Sequence, residues 1–166
     1  MALAEEPQVV DLVDQPYAAI RAQVTMSTIP EIADRFPELF AHLAERGIAP
    51  VGPPFLKYDV LGPGDALEME AGVPVADVSE GAGAVAFALL RAGRYATVSH
   101  HGHPSELWQV TKDLLEWAIA NGLTWDVDEA DGVQMWGARM EVYNTDPREE
   151  PDMANWDNDL LFRLAT

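Results

Sequence analysis

The strongest constraint on this chain is an internal repetition of order: strand, strand, helix, strand, strand, written twice. In the first half, Val9–Val13 and Tyr17–Thr25 read as strands. The second of these sets Ala19, Arg21 and Gln23 opposite Ile20, Ala22 and Val24. A helix follows, with Thr28 in the N-cap position and Glu31 three residues on, the spacing of a capping box. Ile32, Phe36, Leu39, Phe40 and Leu43 form its apolar face, Pro37 is expected to kink or divide it, and Gly47 stops it. Phe55–Val60 and Leu67–Val73 complete the half as strands, with Glu68 and Glu70 expected to face solvent. Beyond the connector Gly81-Ala82-Gly83 come strands at Val85–Leu90 and Tyr95–His100. A helix then opens at Pro104 behind His103 as N-cap and ends at Asn121-Gly122. An acidic loop, Trp125–Gly132, leads to a long strand, Val133–Tyr143, and a last one at Trp156–Leu164. The fold expected is α+β: one domain over 1–166, with repeat modules at 8–78 and 84–166 that form a curved antiparallel sheet with helices packed on it.

Setting Tyr58 on Tyr143 aligns Phe55 with Met140 and Leu56 with Glu141. The two tyrosine-bearing strands then lie about a pseudo-twofold axis, and Leu56 and Tyr58 face Glu141 and Tyr143 across one cleft. Residues i and i+2 of a strand share a face, so Glu141 and Tyr143 project together from ARMEVYNTDP, residues 138–147. A carboxylate buried there needs a structural hydrogen bond, a cationic ligand or a proton to offset its desolvation. The structural alternative is a pairing with a neighbour such as Arg139. Tyr58 and Tyr143 are either half-buried strand tyrosines or walls of the cleft, and Trp108 and Trp136 either line it or fill the helix–sheet core.

Lys and Arg number 10 against 28 Asp and Glu, a formal charge of −18. That balance argues against nucleic acid, anionic membranes and phosphate-rich ligands, and favours cations. There is no cysteine, hence no disulfide and no thiolate chemistry. Residues 1–6 read as a disordered tip, and the N-terminus has neither the basic nor the apolar segment of a signal peptide. No apolar run approaches the roughly 20 residues of a membrane span. A cytoplasmic protein is expected. His100, His101 and His103 do not make a metal set, because adjacent strand residues point to opposite faces and His103 sits at a helix start. No metal and no cofactor is expected. Phosphate-cradling glycine loops and the G-x-S-x-G elbow are absent from the sequence.

Four stretches carry a family resemblance: GIAPVGPPFLKYDV, EMEAGVPV, RAGRYATVSHHGHPSELWQVTKDLLEWAIANGL, and MEVYNTDP followed by Trp156. In order and spacing the chain resembles the GyrI-like small-molecule-binding domain, the effector-binding domain of AraC- and MerR-type multidrug regulators. The resemblance implies two strand-helix-strand-strand modules and a ligand cleft between them. It implies that Glu141 meets hydrophobic, cationic or aromatic molecules in that cleft and that Tyr58 is a wall. Phe55, Trp108, Trp136 and Tyr143 complete the expected ligand-binding set. The function expected is small-molecule capture, as a sensor or a sequestering resistance protein. The alternative it permits is hydrolytic opening of reactive electrophiles, such as cyclopropane-bearing compounds, with Glu141 as the catalytic general acid/base. Two departures matter: the sequence has no basic helix-turn-helix ahead of the domain, which reads as stand-alone, and Gly102-His103-Pro104-Ser105 replaces the family's Gly-Pro-Tyr.

Overall fold

The computed structural model describes residues 5–166, so part of the expected disordered tip lies outside the described residues. The elements in chain order are β1 (Gln8–Leu12), β2 (Gln15–Thr25), α1 (Ile29–Ala33), α2 (Phe36–Glu45), β3 (Phe55–Leu61), β4 (Ala66–Pro74), β5 (Val85–Leu90) and β6 (Gly93–His101). They continue with α3 (Leu107–Ala120), β7 (Val127–Ala130), β8 (Val133–Trp136), β9 (Arg139–Tyr143) and β10 (Asp157–Arg163). The fold is α+β, an open antiparallel sheet of ten strands carrying the helices.

The predicted helices form with three differences. The first divides at the proline, which becomes the first-turn proline of α2. Thr28 does sit at the N-cap of α1, but it builds no capping box. Its hydroxyl is taken by the Thr25 backbone N–H at 2.7 Å, closing the preceding turn instead. The helix expected to open at Pro104 starts as a short 3-10 turn, Pro104–Glu106, that leads into α3, and His103 caps that turn by accepting the Ser105 N–H at 3.1 Å. The long strand expected at 133–143 is two strands, β8 and β9, broken at Gly137. The acidic loop ahead of it contains β7, which folds back on β8. A Cβ at Gly137 would fall 1.8 Å from the Asp126 carboxylate, so any side chain there would have to displace Asp126 from its place against the break.

The main sheet path is β1-β6-β10-β9-β3-β4-β2-β5. This order is palindromic about the β9–β3 pair: β10 answers β4, β6 answers β2 and β1 answers β5. β1 pairs with β6, and β5 with β2, so the first strand of each half lies on the sheet edge of the other. At the centre, Leu56 pairs directly with Glu141, Phe55 with Val142 and Lys57 with Met140. The two residues that the repeat aligns are therefore cross-strand neighbours at the pseudo-axis.

All three helices lie on one face. α2 packs Leu39 and Leu43 on Ala18, Ile20, Val73 and Val75. α1 adds Ile32 over Val24, Leu67, Met69 and Leu56. α3 buries Leu107, Val110 and Leu114 against Ala96, Val98, Leu160 and Phe162. β3 and β9 run between these two helical layers, and Leu61 packs against both clusters.

The other face carries an unexpected charge network. Glu70, expected in solvent, is only 8 % exposed. It accepts the Tyr17 hydroxyl at 3.0 Å and the Lys57 ammonium at 3.1 Å. Lys57 also donates to Asp59, and Arg21 bridges Asp59 and Glu68, each at 3.1 Å. The register explains it: Arg21 and Lys57 both pair directly with Glu70, from the strands on its two sides. Opposite charges thus alternate across β2, β4 and β3. Burial opposes ionisation of Asp59, but a hydrogen-bonding interaction shared with Glu70, the charge of Lys57 and hydrogen bonds from Lys57 and Arg21 outweigh it and hold its carboxyl below the ordinary value.

Asp59→Asn should therefore unfold at a lower urea midpoint, by about 3 kcal/mol in free energy, because the buried Lys57 loses one of its two anions. The Asp59 contribution is present above its ordinary pKa and lost as pH falls through the depressed one. The gap between variant and wild type should accordingly narrow in acid.

Candidate functional site

Parity along β3 and β9 builds the site. Leu56 and Tyr58 on one strand, and Arg139, Glu141 and Tyr143 on the other, all point to the helix-covered face. Because β3 and β9 are hydrogen-bonded neighbours, these side chains form a continuous floor. They do not face each other across a gap, as the sequence suggested; the helical layers over the flanking strands take the place of walls. Tyr58, Arg139, Glu141 and Tyr143 each keep partial contact with solvent, while Leu56 is buried.

Glu141 is the centre of this floor. The Tyr58 hydroxyl donates to its Oε1. Burial pushes the Glu141 carboxyl above its ordinary value. The hydrogen bond from Tyr58, the charge of Arg139 and a hydrogen bond from Tyr143 act against that push without overcoming it. The same burial and the neighbouring carboxylate drive the Tyr58 and Tyr143 phenols well above theirs, so both remain donors. A partly desolvated carboxylate between two phenols can accept a ligand's N–H or O–H, balance a cation, or hold a proton to higher pH than an exposed glutamate would.

Arg139 is the participant that sequence reasoning passed over, naming it only as a neighbour. Among the described residues it makes no ion pair within 4.0 Å, Glu141 included. Its guanidinium instead lies over three rings, 5.4 Å from Tyr58, 5.0 Å from Trp136 and 5.0 Å from Phe162. Phe162 comes from β10, directly opposite Arg139 in the register. The signal in the sequence was the i, i+2 pairing of Arg139 with Glu141, which puts a cation beside any carboxylate the strand buries.

The remaining candidates separate. Trp136 is 8 % exposed and sits inside the α3 core, its ring 5.9 Å from Trp125 and 5.8 Å from Phe162, where it supports Arg139 from below. Trp108, on α3, is 68 % exposed and belongs to none of the buried clusters. Phe55 points to the opposite face, a result its odd separation from Tyr58 already required. There it packs edge-on to Tyr17 at 5.5 Å, and Gly72 leaves room for it: a Cβ at 72 would lie 2.7 Å from the ring. With Tyr95, Met140, Val142 and Leu161 it lines an apolar hollow of about 250 Å³ that is separate from the Glu141 floor. Phe55 and Glu141 are therefore not brought together.

The profile of the GyrI-like small molecule binding domain matches residues 5–164, and the chain belongs to that family. No curated protein matches the chain by sequence. Among solved structures, the C-terminal domain of EcmrR superposes with a TM-score of 0.72 at 17 % identity, covering 99 % of both chains. In the EcmrR–DNA complex the TM-score is 0.77 at 16 % identity over 97 % of this chain, which spans only 57 % of that one. A hydrolase from Listeria innocua superposes at 0.67 with 14 % identity, covering 99 % of this chain and 94 % of its own. SAV2435, solved bound to tetraphenylphosphonium, superposes at 0.62 with 9 % identity over 97 % and 94 %. At these identities the likeness is one of fold.

Because burial raises the Glu141 pKa on folding, the folded chain holds this proton where the unfolded chain has released it. Stability from this group is present below its ordinary pKa and falls as pH rises through the raised value. Glu141→Gln should therefore gain in melting temperature relative to wild type as pH goes from 4 to 8, measured by calorimetry; a constant offset would contradict the raised pKa.

Proposed function

We propose that the protein binds hydrophobic, aromatic small molecules over the Tyr58–Glu141–Tyr143 floor, cations among them, and serves in the cytoplasm as a sensor or a sequestering protein. The observation that carries this reading is Glu141: a carboxylate held at the centre of the sheet, at the position its repeat partner fills with leucine, and bonded by a phenol rather than by an ion pair. Membership of a small-molecule-binding family supports it, as does the tetraphenylphosphonium bound by SAV2435. The formal charge of −18 adds a long-range field that draws cations in and repels nucleic acid.

A second reading is hydrolysis of a reactive electrophile. The raised pKa of Glu141 favours it, because a carboxyl that holds its proton nearer neutrality can protonate a leaving group or activate water, with Tyr58 or Tyr143 orienting the substrate. The Listeria innocua hydrolase with the same fold is consistent with it.

Titration of tryptophan fluorescence with tetraphenylphosphonium and with neutral triphenylphosphine oxide tests the binding role. Glu141→Gln should weaken the cation at least about tenfold, roughly 1.4 kcal/mol, and the neutral compound by less than about twofold. Equal losses for both would remove Glu141 as the charge-reading group. Turnover of a cyclopropane-bearing electrophile by wild type, abolished in Glu141→Gln, would select the hydrolytic reading.

A further inference from the structure

Arg139 stands out as a half-buried cation in a chain that carries 28 acids yet pairs it with none within 4.0 Å among the described residues. Its Nε is buried without a hydrogen-bond partner. What it has instead is a three-ring box, Tyr58, Trp136 and Phe162, at 5.0–5.4 Å. Such rings attract a guanidinium by about 0.5–2 kcal/mol each through their quadrupoles, and the planar guanidinium can lie flat on them where an ammonium cannot. The box is anchored on both sides, since Phe162 is 1 % exposed and Trp136 is wedged against Trp125 and Phe162. Arg139 is therefore held in place by packing.

That position is two residues before Glu141 on the same face of β9, about 7 Å along the strand. The distance is shorter than the Debye length of about 8 Å at physiological salt, and both groups lie in partly desolvated surroundings, so their charges act on each other. The Tyr58 ring is shared: its face receives Arg139 and its hydroxyl donates to Glu141. One side chain couples the resident cation to the ligand-reading anion.

We infer that Arg139 is a resident counter-cation that fills the aromatic box, balances Glu141, and so sets which ligand charge the floor accepts. This rests on the binding role of Glu141 above and names its specificity determinant. With both groups present the floor is close to neutral, and cationic and uncharged aromatics compete on apolar contact. Without Arg139, Glu141 is an unbalanced anion over an aromatic box with room for a guanidinium-sized head, and cations gain. Arg139 acts through its charge on Glu141 and through its hold on the Tyr58 ring, so it is a positioning and charge-setting residue.

The test has one readout with ligand and one without. In Arg139→Met, the ratio of triphenylphosphine oxide to tetraphenylphosphonium dissociation constants should rise at least about tenfold over wild type. Arg139→Lys, which keeps the charge but cannot lie flat on the rings, should keep the wild-type ratio. Arg139→Gln serves if the methionine variant fails to fold. An unchanged ratio in a folded neutral variant overturns the inference. Independently, carbon-13 NMR titration of glutamate side chains should find the Glu141 carboxyl at least about one pH unit higher in the neutral variant than in wild type. The groups that face it, Tyr58 and Tyr143, are the same in both proteins. An unmoved Glu141 titration overturns the inference even where neither probe binds, whereas binding that fails in every variant while Glu141 does move rejects only the ligand class.

Discussion

Everything in this structure turns on the pairing of Leu56 with Glu141 at the middle of the sheet. A pseudo-twofold arrangement brings equivalent residues together at its axis, and in a protein core both would ordinarily be apolar. Here one is a carboxylate. Its desolvation has to be met locally, and the same symmetry supplies the means: Tyr58 and Tyr143, equivalent in the repeat, flank the axis on the same face. The palindromic strand order places this pair far from either edge, between the two helical layers, where a partly desolvated charge has longer reach than in water.

The two faces of the sheet solve the problem of buried charge differently. On the open face, Arg21, Glu70 and Lys57 alternate in sign across three strands: Lys57 bonds Glu70 and Asp59, Arg21 bonds Asp59 and Glu68, and Tyr17 donates to Glu70. That is a mutually paired set. On the helix face, Glu141 and Arg139 are not joined to each other: the anion takes a phenol and the cation takes rings. Each therefore retains capacity for another partner. A fully satisfied network of this kind rigidifies a scaffold. The closed network also explains why the floor can hold an unsatisfied charge pair, since β3 is pinned on its reverse side by Lys57 and Asp59.

Much of the fold is legible in the chain because strands and helices announce themselves by period. The α3 face, the division at the proline, the glycine stops and the last strand all follow from spacing and from the backbone limits of proline and glycine. So does the convergence of Tyr58, Glu141 and Tyr143, which needs only the repeat alignment and the alternation of strand side chains. The same alternation placed Phe55 on the other face, and grouping it with Tyr58 ignored it. Glu70 departs from expectation for a different reason. Alternation gives its face correctly, but whether that face meets water depends on which residues the neighbouring strands bring, and these are Arg21 and Lys57. The period of 133–143 is that of one continuous strand, and its break at Gly137 arises only when Asp126 is folded against it.

The sequence by itself determined the family, the α+β class, the repeated order and the identity of the central carboxylate, because these depend on local periodicity and on residue type. Only the tertiary structure decided that the two repeat strands are hydrogen-bonded neighbours forming one floor, that each half lends its first strand to the other's edge, and that Arg139 rests on Tyr58, Trp136 and Phe162. Those facts arise from cross-strand register between segments distant in the chain, and register is a property of the assembled sheet.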